Sequence, residues 1–256
     1  MCFPDHYRIE YEINPWMRIS DQPNLALART QWTILKEELE KAGFLVTLVK
    51  QISGFPDMVF TANAGLVCDQ NIILSNFKHK ERRREKWYFK SCFRSLKYNI
   101  IAIPNRYLFE GEGDALFCGD KLVCGYGMRS DEWGLRFVAD LLWKTPTMLK
   151  LIDPYFYHLD TCFSSPKRDL VLCYLPAFDK TSQKEIEKIG EIIPVSKRDA
   201  ENFVCNAVPA GNKLITSSMS ATLRTELKKR NIEPIEIDMS EFIKSGGATK
   251  CLTLFI

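Results

Sequence analysis

The chain of 256 residues contains nine cysteines and yet no CxxC pair. An odd set of thiols scattered from Cys2 to Cys251 fits reduced cysteines better than a disulfide framework or a structural zinc site. No apolar run of about 18 residues is present, and Met1 to Asp5 has no basic segment leading into an apolar one. Neither a membrane span nor a secretory signal is therefore expected, and the cytoplasm is the default compartment. Walker A, G-x-G-x-x-G and H-E-x-x-H patterns are also missing, so phosphate, dinucleotide and zinc-hydrolase readings have no motif behind them. Linkers rich in Ser, Gly or Pro are absent, and residues 1–256 are read as a single domain. Histidine is scarce. Of the three, His6 lies in a polar start and His79 in a charged cluster, which leaves His158 as the internal base.

With 46% hydrophobic and 26% charged residues, the chain has the composition of a folded globular protein. Its net charge of +3 is unevenly spread, with nine Lys/Arg against Glu81 and Glu85 between Lys78 and Lys97. Such a cluster could displace counterions from a nucleic acid, with Trp87, Tyr88, Phe89 and Phe93 for stacking. The spacing favours a plainer account. Trp87, Phe93 and Leu96, like Phe89, Cys92 and Leu96, recur at helical intervals and predict the buried stripe of a helix with a solvated basic face.

Helical patterns over Leu25–Ala42, Ser130–Lys144, Asp179–Ile189, Ser217–Asn231 and Ser240–Lys244 alternate with strand-like runs. These runs are Leu45–Val49, Met58–Phe60, Asn71–Ser75, Ile100–Ile103, Leu170–Tyr174 and Leu214–Ser217. A near-period underlies the alternation. Segments of polar residues in an apolar frame begin at Asp57, Glu112, His158, Asn202 and Gly247, at spacings of 55, 46, 44 and 45 residues. About five strand-strand-helix-strand units, closed on themselves, would bring the first strand of each to a common axis. Alternate residues of those strands would then face one cavity.

That cavity would hold Asp57, Asn63, Glu112, Asp114, His158, Asp160 and Cys251. Several acids ask for a cation, and a guanidinium offers forked N–H donors that carboxylates accept in pairs. Its resonance-stabilised carbon yields to a soft nucleophile assisted by a proton donor, which a cysteine and a histidine supply. A neighbouring cation would also lower the thiol pKa from its usual value near 8.5, so bound substrate would help to ionise its own nucleophile.

These residues resemble the guanidino-group modifying enzymes of pentein fold, which include arginine deiminase, dimethylarginine hydrolase and amidinotransferases. His158-Leu-Asp-Thr-Cys-Phe is similar to the His-x-Asp strand of arginine deiminases, Glu112-Gly-Asp114 to the acidic Gly-rich strand, and Cys251-Leu-Thr-Leu to the terminal nucleophile strand. Met1-Cys-Phe-Pro-Asp-His-Tyr, Tyr11-Glu-Ile-Asn-Pro-Trp-Met17, Phe60-Thr-Ala-Asn-Ala-Gly65 and Phe109-Glu-Gly-Glu-Gly-Asp114 resemble the arginine dihydrolase branch. The resemblance runs the length of the chain. It implies an α/β propeller of about five pseudo-symmetric ββαβ units around a central active-site cavity.

By the same resemblance Cys251 is the nucleophile, His158 the proton shuttle and Glu112 the group that orients His158. Asn63 and Asp160 would hold the guanidinium, with Asn14 and Asp114 as further contacts, and Arg82 and Arg129 would take the substrate carboxylate. Related deiminases carry a carboxylate where this chain has Asn63. An amide donates as well as accepts, so it suits both cationic arginine and a neutral ureido intermediate. The implied reaction is hydrolysis of L-arginine to ornithine, carbon dioxide and two ammonia, with no metal or organic cofactor. Arginine deiminase and amidinotransferase chemistry on arginine or a related guanidino compound remain alternatives. So does a non-enzymatic, RNA- or ribosome-binding role, because pentein propellers include a ribosome anti-association factor. The expected partner is a small guanidino substrate, with no nucleic acid or membrane, and self-association stays open. Ala248 departs from the third glycine frequent in similar proteins, and the end of the chain at Ile256 gives no expectation of direct proline formation.

Overall fold

The computed structural model describes residues 1–256, and within it one strand-strand-helix-strand pattern occurs four times. The first unit comprises β1 (Gly65–Cys68), β2 (Asn71–Leu74), α2 (Glu85–Ser95) and β3 (Asn99–Ala102), after an opening helix α1 (Leu25–Lys41). The second is β4 (Ala115–Cys118), β5 (Lys121–Tyr126), α3 (Glu132–Leu141) and β6 (Pro146–Lys150). The third is β7 (Phe163–Lys167), β8 (Leu170–Cys173), α4 (Lys180–Glu187) and β9 (Glu191–Pro194). A short α5 (Lys197–Glu201) leads to β10 (Val208–Ala210), β11 (Lys213–Thr216), α6 (Ala221–Lys229) and β12 (Glu233–Glu236), and α7 (Ser240–Ile243) follows. In every unit the first two strands pair antiparallel and the third joins the second in parallel across the helix.

Local chemistry accounts for these boundaries. Hairpins of two central residues place Asp69, Gly119 or Gly211 at positive φ in the first position, where Asp and Gly are tolerated best. Helices α1 and α7 start where the pattern predicts, whereas α3, α4 and α6 start one or more residues later, because Asp131, Asp179 and Ser220 accept a backbone N–H at the N-cap and remain outside the helix. The largest apolar core packs Ile186 of α4 and Leu223 and Leu227 of α6 with Val171 and Leu172 of β8 and Leu214 of β11. No helix is long and apolar enough to cross a membrane.

Four complete sheets form where about five were expected. Around α1 the fifth pattern is reduced to a parallel bridge between Cys2 and Val49, so Leu45–Val49 is not a strand and Leu45 is 94% exposed. Met58–Phe60 falls in a 3-10 turn and its cap. In α2, Phe89 and Phe93 form the buried stripe, whereas Trp87 points outward at 59% exposure. The polar segments of the repeat are likewise tight turns, not strands: Thr61–Ala64 is a 3-10 turn directly before β1, and Gly111–Gly113 and Leu159–Thr161 are 3-10 turns separated by one residue from β4 and β7.

Hydrogen bonds link these turns in a closed ring. Asn63 Nδ2 donates to the Glu110 carbonyl, Leu159 N to Asp114 Oδ1, and Asn206 Nδ2 to the Asp160 carbonyl. Ala248 N and Cys251 N both donate to Asn206 Oδ1, and Ala62 N donates to the Cys251 carbonyl. Residues separated by almost 200 positions thereby meet in one place.

Candidate active site

Cys251 sits on the last of these turns, buried, with its amide and its sulfur both held by Asn206. Its Sγ lies 3.3 Å from Asp160 Oδ2. The approach depends on Gly246 and Gly247. Gly246 has φ +79°, and a Cβ on Gly247 would overlap the Phe60 ring. Ala248 is fully buried and absent from the residues at positive φ, so its methyl is accommodated without backbone strain.

His158 is also buried, and its Nε2 lies 2.8 Å from Glu110 Oε2. Glu110, not Glu112, therefore orients the imidazole. Residues 111–113 form the 3-10 turn that separates the two acids, and Glu112 Oε2 instead meets Lys250 Nζ at 2.6 Å. Glu110 further accepts from Arg129 Nη1 at 3.1 Å and from the Lys78 amide. Burial opposes its ionisation, but Arg129 and then His158 overcome that and hold the carboxyl far below the usual carboxylate range.

Asp57, Asn63, Arg82, Arg129, Tyr157 and Cys251 line one narrow cavity, closed on its other sides by Ile13, Asn14, Phe60 and Ser245. Two larger, mostly apolar cavities lie away from the thiol, and Glu112 and Lys250 line one of them. Each of two acids near the thiol keeps one oxygen that the protein does not satisfy. Asp57 Oδ1 and Asp160 Oδ1 are buried without a hydrogen-bond partner. Burial raises the Asp57 carboxyl and lifts Asp160 to about 7 despite Lys250. It also pushes the Cys251 thiol well above its ordinary range, with Asp160 adding to the effect. The surrounding protein thus favours neutral groups, and a cation beside them would reverse the trend for all three.

The other expected contacts divide. Arg82 is 3% exposed, so it is no surface arginine. Its Nε and Nη2 grip Glu85, Nη2 also reaches the Asp57 carbonyl, and Nη1 donates to Asn63 Oδ1. One Nη1 hydrogen remains. Arg129 uses two N–H groups, on Glu110 and the Ile13 carbonyl, and stacks over Tyr157, which leaves three donors for a ligand. Asn14 caps its own turn through Trp16 N and Met17 N and ties it to the Ser245 carbonyl. Asp114, like His158 and Asp160, lies behind the residues that line the cavity, but both of its oxygens are taken up by bonds away from the thiol. Its oxygens accept from Ser130 and the Leu159 amide, with Oδ2 4.0 Å from His158 Nε2, so it supports the histidine turn and leaves the guanidinium to others.

Sequence reasoning did not single out Glu110 or Asn206, met Glu85 only as the end of the pattern Arg82-Arg-Arg-Glu85, and considered Asp57 only as a member of the acidic set. The signal for Glu110 was present in Phe109-Glu-Gly-Glu-Gly-Asp114, whose two glutamates stand two residues apart. Strand alternation would place them on one face, but the 3-10 turn separates them.

Comparison with known proteins agrees with this architecture. Residues 8–256 match the family model for N,N dimethylarginine dimethylhydrolase, eukaryotic. The bifunctional arginine dihydrolase/ornithine cyclodeaminase ArgZ of Synechocystis sp. is 43% identical over 99% of this chain, which spans 37% of that relative's length. The N(G),N(G)-dimethylarginine dimethylaminohydrolase of Mycobacterium tuberculosis is 33% identical over 100% of this chain and 84% of its own. Among solved structures, the substrate-bound N-terminal domain of ArgZ superposes with a TM-score of 0.96 at 42% identity, covering 99% of this chain and 96% of that one. A dimethylarginine dimethylaminohydrolase adduct shares the fold, with a TM-score of 0.80 at 20% identity. The chain that sets a cysteine, a carboxylate-held histidine and buried acids on a ring of turns matches these proteins from end to end, and it belongs to the guanidino-group modifying superfamily of pentein fold, in its arginine dihydrolase branch.

Proposed function

We propose that this protein hydrolyses L-arginine to ornithine, carbon dioxide and two ammonia through covalent intermediates on Cys251, with residues 1–256 acting as one catalytic unit. The observation that carries the reading is the pair of buried carboxylate oxygens, Asp57 Oδ1 and Asp160 Oδ1, that no donor in the protein satisfies. Each is expensive to bury alone, and a planar cation with five N–H groups is the ligand whose chemistry answers both. Dihydrolase names among relatives more than 40% identical support the same substrate.

Arriving guanidinium favours the ionised forms of Asp160 and Cys251, and the thiolate adds to the guanidinium carbon. His158, held by Glu110, delivers a proton to the departing ammonia, then takes one from the water that resolves the amidino-enzyme to citrulline. Attack on the ureido carbon expels the second ammonia and leaves an S-carbamoyl cysteine. Water releases this as the ornithine carbamate, which loses carbon dioxide. Arg129, with three free donors, is the main ligand for the substrate carboxylate, and Arg82 adds its one remaining N–H.

The basic segment Lys78–Lys97 offers less to a polyanion than its composition suggests, since Arg82 is buried on Glu85 and Lys78 Nζ and Arg83 donate to backbone carbonyls. A product time course on L-arginine with Cys251→Ser as control tests the proposal. Ornithine with two ammonia per arginine, lost in the variant, is the expected result, whereas accumulating citrulline as the sole product would leave a deiminase.

A further inference from the structure

Two neighbours of single polarity determine which way the Asn63 amide points. Arg82 Nη1 lies 2.8 Å from one terminus of the side chain, and a guanidinium only donates, so that terminus is the oxygen. The Glu110 backbone carbonyl lies 3.3 Å from the other, and a carbonyl only accepts, so that terminus is the NH2 group. Gly113 leaves the room, since a Cβ there would overlap Asn63 Nδ2. With one N–H on the Glu110 carbonyl, Nδ2 keeps a second for the cavity that Asn63 lines. A carboxylate in this position would set an oxygen against the Glu110 carbonyl and bring no donor at all.

The orientation is only as firm as Arg82, and Arg82 is fixed from behind. Glu85 is 0% exposed and receives Nε and Nη2 at 2.9 Å each. Phe77 supports the guanidinium from one face at 4.7 Å, and Glu85 does not line the cavity. We propose that Glu85 is a positioning residue which, through Arg82, holds the Asn63 N–H toward the cavity and so decides whether citrulline leaves or is hydrolysed again. The inference rests on the dihydrolase reading above.

The two half-reactions need opposite partners. Arginine is a donor, and the free oxygens of Asp57 and Asp160 suit it. Citrulline carries an oxygen on the same carbon, and when the Cys251 thiolate adds there the C=O π pair moves onto that oxygen as an oxyanion. Ammonia leaves with a proton delivered by His158, the carbonyl reforms as the S-carbamoyl enzyme, and water completes the hydrolysis. An N–H aimed at the oxyanion is what this second attack requires, and removal of one such donor costs about 10²–10³ in rate in other enzymes.

The test is the ratio of ornithine to free citrulline released from L-arginine at low conversion. For the wild type ornithine should dominate, and for Asn63→Asp citrulline should. Glu85→Gln, which cannot accept both Arg82 donors, should lower the ratio at least tenfold, and Glu85→Asp should restore part of it. In an Asn63→Asp background Glu85→Gln should change the ratio no further, because the residue it acts through is gone. Should Glu85→Gln not fold, Arg82→Met/Glu85→Met replaces the buried pair by apolar side chains of similar volume and should shift the ratio the same way. A purely structural Glu85 would lower the melting temperature and slow both hydrolyses in parallel, leaving the ratio unchanged, and that result or an additive double variant overturns the inference. Wild-type release of citrulline alone is a different outcome, which removes the dihydrolase reading itself.

Discussion

Exchanging each glutamate of the Phe109–Asp114 segment for glutamine separates catalysis from stability at positions two residues apart. Glu110 takes three donors, from His158 Nε2 at 2.8 Å, Arg129 Nη1 at 3.1 Å and Lys78 N at 3.1 Å. In Glu110→Gln one of these faces an NH2 group, and the charge that fixes the imidazole is lost. General acid–base catalysis contributes about 10²–10⁴ in rate, so kcat should fall by that factor, or about 3–5.5 kcal/mol of barrier. Glu112→Gln touches no group in the thiol cavity. It keeps an amide oxygen for Lys250 Nζ but takes away the charge opposite the buried ammonium, and breaking a buried pair costs up to about 3–5 kcal/mol. For a chain of this size that is a fall in Tm of roughly 6–20 °C, with kcat at 20 °C within about tenfold of wild type. Glu112→Met/Lys250→Met, which removes both charges, should recover most of the lost Tm. Steady-state kinetics beside thermal melts on the same preparations decide the matter. An inactive Glu112→Gln of unchanged Tm, next to an active Glu110→Gln, would refute the assignment of Glu110 to the histidine.

Burial, which outweighs Lys250, lifts the Asp160 carboxyl to about 7 in the fold, against about 3.9 in the unfolded chain. The folded state then binds this proton more tightly, and its stability falls as pH rises from 4 to 7. Asp160→Asn should flatten that part of the urea-unfolding profile, gain on the order of a few kcal/mol at pH 8 and abolish turnover. A profile as steep as the wild type's would contradict the assigned titration. Gly113→Ala would drive a methyl into Asn63 Nδ2 and to within 3.2 Å of the His158 ring, so kcat should drop at least tenfold and stability by about 1–3 kcal/mol. An unaffected enzyme would show that this turn is not the constraint described. Arg129→Lys keeps the charge but loses the fork, and KM for arginine should rise about 10- to 100-fold while KM for agmatine, which has no carboxylate, changes much less. Parallel increases for both would take the carboxylate away from Arg129.

The sequence made the repeat visible because it is written in spacing, and spacing survives any error in naming the elements. It also located Cys251, His158, Asp160 and Asn63, since a buried acid, thiol or imidazole breaks an apolar frame in a way that can be seen in one dimension. The conformation of the segments was not legible. Their alternation reads as a strand, yet consecutive 3-10 turns displace each side chain by about 120° instead of 180°. That difference exchanged Glu112 for Glu110 beside His158 and withdrew Asp114 from the substrate. Arg82 was named through the family resemblance alone. Among three consecutive arginines only tertiary contact distinguishes the one that is buried, and the Glu85 that buries it lies inside what reads as a solvated basic run.

Placing the reacting groups on turns has a consequence for how the site is kept rigid. A strand receives its order from the ladder on either side, whereas these turns are held mainly by bonds to the next turn in the ring, several of them through side chains: Asn63 to the Glu110 carbonyl, Asp114 to the Leu159 amide, and Asn206 to Asp160, Ala248 and Cys251. The same residues therefore close the ring and aim the chemistry. Asn206 is the plainest case, because its amide oxygen accepts two backbone N–H groups of the nucleophile turn while its NH2 meets the Asp160 carbonyl and lies 3.1 Å from the Cys251 sulfur. Asn206→Asp would keep the acceptor and lose the donor, setting an oxygen against the Asp160 carbonyl and a negative charge beside the thiol. Thiolate formation and ring closure should fail together, seen as slower alkylation of Cys251 by iodoacetamide at fixed pH and a lower Tm in one variant. A normal alkylation rate in a destabilised Asn206→Asp would separate the two roles and show that the thiol takes its environment from Asp160 alone.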